Sequence, residues 1–152
     1  MTTSTTDAAG PLAVYRRMRE AVLREDDATL LPAELLAEDL VVETPFSPPG
    51  MRRIEGREAW LAFYRDRALP IRFEECRELA VHETGDPEVI VVEYELTGTV
   101  TTTGVRASTS FIGVLRARDG LVEHWREYQN LPAIGEALSM SPEALGGASL
   151  DK

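Results

Sequence analysis

Glu93, Glu95 and Glu127 are the residues of this 152-residue chain whose type and spacing could do chemistry. A carboxyl becomes a working acid or base when burial or a neighbouring like charge lifts its pKa toward neutrality. Two sequence-adjacent hairpins offer to bring these carboxyls together. The first runs out along Val89–Val100, turns at Thr101–Gly104 and returns along Val105–Ala117. The second turns at Asp119-Gly120, a strong two-residue hairpin signal, and leaves along Leu121–Asn130. With the register those turns set, Glu93 lies opposite Ile112, and Ile112 opposite Glu127. Glu95, Ser110 and Gln129 form one adjacent row, and Val91, Val114 and Trp125 the other. Side chains alternate faces with a period of two, so all of these share one face. That face is either a pocket holding perturbed acids or the wet side of a sheet. Alternation favours the second, because the opposite face carries Ile90, Tyr94, Phe111, Leu115 and Tyr128 and makes the better core. Arg116 falls opposite Glu123 in this register, as an exposed cross-strand ion pair.

The elements that must position these residues read as follows. Pro11–Glu25 has Val14, Met18, Ala21 and Val22 on one helical stripe. Leu30–Leu36 reads as a short second helix and Leu40–Thr44 as a short strand stopped by Pro45. Ser47-Pro-Pro-Gly50 is a rigid loop by composition, with Phe46 at its start. Arg57–Asp66 is a third helix whose Trp60, Phe63 and Tyr64 form an aromatic face, either core or cavity lining. Phe73–His82 can form a strand, and Ala133–Leu138 a short terminal helix. Helices first and an antiparallel sheet after give an α+β domain over residues 11–138. Residues 1–10 read as a disordered lead-in and 139–152 as a flexible tail.

Composition narrows the partners. A net charge of −10 argues against nucleic acid and against an anionic membrane surface. No apolar run approaches the roughly 20 residues that span a bilayer. The single cysteine, Cys76, excludes an internal disulfide and suits a reducing compartment, so cytoplasm is the expected location. With two histidines, His82 and His124, no His-rich metal site is expected. By alternation His124 faces away from Glu127.

Four stretches in order resemble a known family: Ala37–Phe46, Arg53–Ala59, Val81–Pro87 and Arg118–Asn130. Together they resemble the SnoaL-like branch of the NTF2-like superfamily over about residues 12–138. The part from Val81 to Leu138 is similar to the phenazine-biosynthesis A/B proteins. The resemblance implies a cone-shaped fold: three short N-terminal helices on a curved, mostly antiparallel sheet, with a short C-terminal helix. It implies a deep apolar cavity on the concave face and a homodimer formed through the convex sheet face. Family members include polyketide cyclases, ketosteroid isomerase, epoxide hydrolases, dehydratases and non-catalytic proteins, so fold does not settle function.

The family's working positions transfer one at a time. Thr44, in Val42-Glu43-Thr44-Pro45, stands where the ketosteroid isomerase base would be, and Gly113 near its oxyanion-hole acid. Gln129 stands at the aspartate of the aklanonic-ester cyclases. Trp125-Arg126-Glu127-Tyr128 keeps the acid of the epoxide hydrolases, whose partner residues fall at Glu93 and Glu95. The phenazine histidine falls at Phe63. Glu127 is the acid that survives. The expectation is a cofactor-independent isomerase, cyclase, dehydratase or hydrolase acting on an apolar cyclic or polyketide-like metabolite. Glu127 would be the general acid/base, oriented by Glu93 or Glu95. Trp125, Ser110, Gln129, Ile112, Trp60, Phe63, Tyr64 and Phe46 would bind the substrate. The alternative is a non-catalytic small-molecule-binding protein in the same fold. A third reading leaves the cavity vestigial and gives the sheet to protein contacts.

Overall fold

Pro11 opens helix α1 (Pro11–Val22) at the position where its missing N–H costs nothing, directly after the N-cap Gly10. The computed structural model describes residues 10–25, 28–47, 52–66 and 70–138. The lead-in before residue 10, the tail after residue 138 and the Pro48–Gly50 part of the loop lie outside the described residues. Six strands form one sheet: β1 (Leu36–Thr44), β2 (Arg52–Glu55), β3 (Ile71–Glu83), β4 (Val89–Val100), β5 (Arg106–Arg118) and β6 (Leu121–Gln129). Their order is β2-β1-β6-β5-β4-β3, with β1 and β6 parallel and every other pair antiparallel. Helix α2 (Arg57–Asp66) follows β2, and α3 (Leu131–Ala137) follows β6. Asn130 caps α3, its side-chain oxygen accepting from the Ala133 N–H at 3.2 Å.

The helix arrangement departs from expectation. Leu30–Leu36 is not a helix. Pro32 is extended, a single 3-10 turn covers Ala33–Leu35, and Leu36 already belongs to β1. Two α-helices precede the hairpins, and the second comes after β1 and β2 rather than before the sheet. β2 is a four-residue strand that the sequence pattern did not announce.

The core lies between α1 and one face of the sheet. Val14, Tyr15, Met18 and Val22 pack with Ile90, Val92, Tyr94, Leu115, Val122 and Trp125 in one buried cluster. β3 is an edge strand, and its free edge is answered by Arg19, which donates to the Cys76 carbonyl from Nε at 3.2 Å and from Nη2 at 2.6 Å. Such capping removes a template for sheet-to-sheet aggregation.

The first hairpin has the expected register, with Glu93 opposite Ile112 and Glu95 opposite Ser110. The second does not. Asp119 and Gly120 both take positive φ, 55° and 79°, as a tight two-residue hairpin requires. Beyond the turn Ala117 pairs with Val122, but Arg116 pairs with His124, so Glu123 is an extra residue in β6. One inserted residue exchanges the faces of everything that follows. Glu127 therefore lies opposite Gly113, not Ile112, and Trp125 lies opposite Leu115. Arg116 pairs in charge with Asp86 at 2.9 Å and Glu88 at 3.1 Å, while Glu123 is held by Arg118 at 3.1 Å.

Candidate active site

The bulge at Glu123 turns Trp125, Glu127 and Gln129 toward α1 and leaves His124, Arg126 and Tyr128 on the outer face. The three carboxylates do not share a face. Glu127 joins Tyr94 and Trp125 on the core side. Glu93 and Glu95 point outward, where Glu93 meets His82 at 2.7 Å and Glu95 meets Arg77 at 3.2 Å. Both are ordinary half-exposed ion pairs and stand on the wrong side of the sheet to orient Glu127. Ser110 and Ile112 lie on that outer face too, opposite Glu95 and Glu93. The grouping of Glu93, Glu95, Ser110 and Ile112 with Glu127 is thus corrected by a single inserted residue.

Glu127 is set among hydrogen-bond donors. The Tyr94 hydroxyl donates to its Oε2, and the Gln129 Nε2 donates to its Oε1 at 2.9 Å. Tyr94 is wholly buried, stacked on Phe111 at 5.3 Å and tilted against Trp125 at 6.2 Å and Tyr15 at 6.4 Å. Burial pushes the Glu127 carboxyl above the usual carboxylate range, and the bonds from Tyr94 and Gln129, which favour the anion, pull only part of the way back. Burial and the adjacent Glu127 charge together hold the Tyr94 phenol well above its ordinary value. Glu127 nonetheless keeps part of its surface open to solvent. A carboxyl whose proton affinity is raised by burial can take a proton from a bound molecule and return it.

The neighbourhood of Glu127 adds groups that period-two reading of the strands did not reach. Tyr15, on α1, is wholly buried and its hydroxyl has no hydrogen-bond partner among the described residues. Burial, then the nearby Cys76, push this phenol up, against the pull of Arg19. Burial likewise raises the Cys76 thiol, with Arg19 opposing, which leaves it a poor nucleophile. The signal for Tyr15 was present: it sits beside Val14 and one turn from Met18 on the stripe that had to be core. Tyr94 was read only as a core residue.

Trp60, Phe63 and Tyr64 form the expected aromatic face on α2, with ring centroids 5.8 Å and 5.7 Å from Trp60. That helix leans chiefly on β1 and β2, and none of its residues is fully buried. Tyr64 lies near enough to Glu127 for the carboxylate to add to the burial that raises its phenol, and its hydroxyl donates to the Ala28 carbonyl at 3.2 Å. The Arg52 guanidinium lies 4.9 Å from the Phe63 ring centre. Phe46 is 60% exposed and meets Tyr128 edge-on at 5.4 Å, on the outer face rather than beside Glu127.

A second buried acid escaped the sequence reading. The Glu43 side chain is 8% exposed and accepts from His124 Nε2 at 2.6 Å and Arg53 Nη1 at 2.9 Å. Burial would raise it, but the bonds from His124 and Arg53 outweigh that and hold it below the usual range. His124 is therefore tied into a carboxylate pair, on the opposite side of the sheet from Glu127. Among the described residues no three His, Cys, Asp or Glu side chains converge as metal ligands would.

The model of the SnoaL-like domain matches residues 15–125. The chain belongs to the SnoaL-like family. A PhzA/B-like protein of Pseudomonas aeruginosa, itself uncharacterised, is 34% identical over 102 residues, covering 62% of this chain and 70% of the relative. A crystal structure from Bacillus subtilis, provisionally assigned as an isomerase, superposes with a TM-score of 0.77 at 26% identity, covering 91% of this chain and 98% of that one. The Δ5-3-ketosteroid isomerase of Mycobacterium sp. gives 0.62 at 26% identity, covering 80% and 94%. The SnoaL-like chain thus has the NTF2-like fold shared with isomerases. At the two positions where its resemblance to ketosteroid isomerase locates catalytic acids it carries Thr44, whose hydroxyl donates to Ser47 at 3.2 Å, and Gly113.

Proposed function

We propose that this SnoaL-like protein is a cofactor-independent acid/base enzyme that moves a proton within an apolar cyclic or polyketide-like metabolite, with Glu127 as the catalytic residue. The observation that carries the reading is a carboxyl on the core face of the sheet, held by the Tyr94 hydroxyl and the Gln129 amide, with burial raising its proton affinity. As carboxylate, Glu127 takes a proton from an acidic C–H or O–H of the substrate. As carboxylic acid, it returns that proton at another atom, so no oxidant, reductant or leaving group is required. The Tyr94 hydroxyl holds the anion during the interval, and the second N–H of the Gln129 amide remains to meet a substrate oxygen. Likeness to an isomerase of the same fold supports proton transfer as the reaction class.

The non-catalytic reading is favoured by Thr44 and Gly113, which put no acid at two places where relatives use one. Native mass spectrometry of the protein purified from its own host, beside Glu127→Gln, finds any retained metabolite, and proton NMR of the released molecule, which distinguishes isomers of equal mass, separates the two readings. Under the proposal the wild type carries product or nothing, and the variant retains an unconverted metabolite differing by a proton shift. Under the binding reading both carry the same molecule. The mass spectrum reports subunit number. We propose a homodimer through the outer sheet face, supported by the exposure of two large apolar side chains, Ile112 (44%) at the centre of that face and Phe46 (60%) near its rim. Ile112→Asp then yields monomers.

A further inference from the structure

Gly113 occupies a singular place in the sheet. It stands on β5 directly opposite Glu127, on the face that looks toward α1. A Cβ at this position would collide with three atoms of the Trp125 indole, Cη2, Cζ3 and Cζ2. The indole therefore lies across the bare backbone of Gly113, and the volume a side chain would take is already filled by an aromatic ring two residues before Glu127 on the same strand. The ring is also held by an aromatic neighbour. Trp125 is buried, and its centroid lies 6.2 Å from that of Tyr94, which is wholly buried and stacked on Phe111. Tyr94 in turn donates to Glu127. Gly113, Trp125, Tyr94 and Glu127 close a loop of contacts in which each group limits where the next can sit.

We propose that Gly113 is a positioning residue for the Glu127 carboxyl, acting through the Trp125 indole and the Tyr94 hydroxyl. This rests on the reading of Glu127 as the working acid. The absent side chain lets the indole lie flat on the sheet, and the flat indole leaves Tyr94 within bonding reach of the carboxyl. An alanine lifts the indole away from β5. Tyr94 is wholly buried against Phe111 and Tyr15, so the displaced indole levers the tyrosine off the carboxylate. Glu127 then loses the donor that favours its anion and binds its proton more tightly. Removing the indole has the opposite effect, because water reaches the carboxyl and burial is what raises its proton affinity.

The test is a carboxyl-carbon NMR titration of Glu127 in wild type, Gly113→Ala, Gly113→Ala/Trp125→Phe and Trp125→Leu, with the Tyr94 hydroxyl proton followed at low field. Gly113→Ala is expected to strengthen proton binding by about threefold or more, a movement of half a unit, and to erase the Tyr94 hydroxyl signal. The double variant, whose smaller ring clears the new methyl, returns both to wild type. Trp125→Leu weakens proton binding. A folded Gly113→Ala with unchanged titration, a double variant that fails to restore it, or a Trp125→Leu that leaves it unmoved overturns the proposal. Should Gly113→Ala not fold, Trp125→Leu and the double variant still decide. A wild-type Glu127 with ordinary proton affinity would defeat the catalytic reading instead, and that arm is read separately.

Discussion

Replacing Tyr94 by Phe isolates one hydroxyl and leaves the ring in place. The ring stacks on Phe111 at 5.3 Å and has no solvent exposure, so Tyr94→Phe keeps the packing and deletes only the donor to Glu127. A hydrogen bond to a charged group contributes about 1.5–3 kcal/mol, and one to a neutral group about 0.5–1.5 kcal/mol. The variant is therefore less stable than wild type by about 2 kcal/mol where Glu127 is ionised, and by about 1 kcal/mol where it is protonated. The difference between those losses is a change in proton affinity. Tyr94 lowers the Glu127 pKa, so its removal raises it further above the usual range. The sign follows from linkage. With a raised midpoint the folded chain holds more protons than the unfolded chain, and stability falls as pH climbs through the window between the two values. Tyr94→Phe widens that window at its upper end. Urea denaturation across mildly acid to neutral pH measures it. Equal loss of stability at both ends, or a Glu127 midpoint that moves down, would mean that the Tyr94 hydroxyl does not favour the Glu127 anion.

Other substitutions read the same arrangement. Glu127→Gln removes the cost of ionising a buried carboxyl and keeps an acceptor for Tyr94. It should raise stability at neutral pH by about 1.4 kcal/mol for each unit separating the folded and unfolded midpoints, and lose that gain in acid, while turnover disappears. Glu93→Gln and Glu95→Gln, on the outer face, should each change stability by less than about 1 kcal/mol and leave turnover intact; urea midpoints and rates check both. Glu43→Gln removes the charge that His124 and Arg53 face and leaves one acceptor oxygen for the two donors, and should cost about 1–3 kcal/mol at neutral pH. Because Glu43 is held below the usual range, its contribution is present above that range and vanishes as pH falls through the lowered midpoint, so the variant's deficit shrinks in strong acid.

Much of the fold was legible because turns and alternation are local. The turn residues of Thr101–Gly104 and Asp119-Gly120 mark the two hairpins, and β4 runs from Val89 to Val100 as its pattern indicates. Alternation alone preferred Ile90, Tyr94, Phe111 and Leu115 as core, and these are buried. What failed was one residue of register. Nothing about Glu123 marks it as a bulge, since bulges answer the strain and twist of a whole sheet rather than a residue preference. That one insertion moved Glu127 inward, away from Glu93 and Glu95, and carried Tyr128 outward. The short β2 and the 3-10 turn were missed because four and three residues are too few to show a period. The helical stripe of α1 marks Tyr15 as core, but its place beside Cys76 and Tyr94, like that of Glu43 between β1, β2 and β6, arises across distances no window spans.

The central claim is that the carboxyl of Glu127 faces the protein interior and binds its proton more tightly than a free glutamate. Carbon-13 NMR of the wild-type chain, labelled at glutamate side-chain carboxyls and assigned with Glu127→Gln, follows that one resonance against pH. A buried Glu127 carboxyl gives a midpoint above the ordinary glutamate range. A midpoint within or below that range contradicts it.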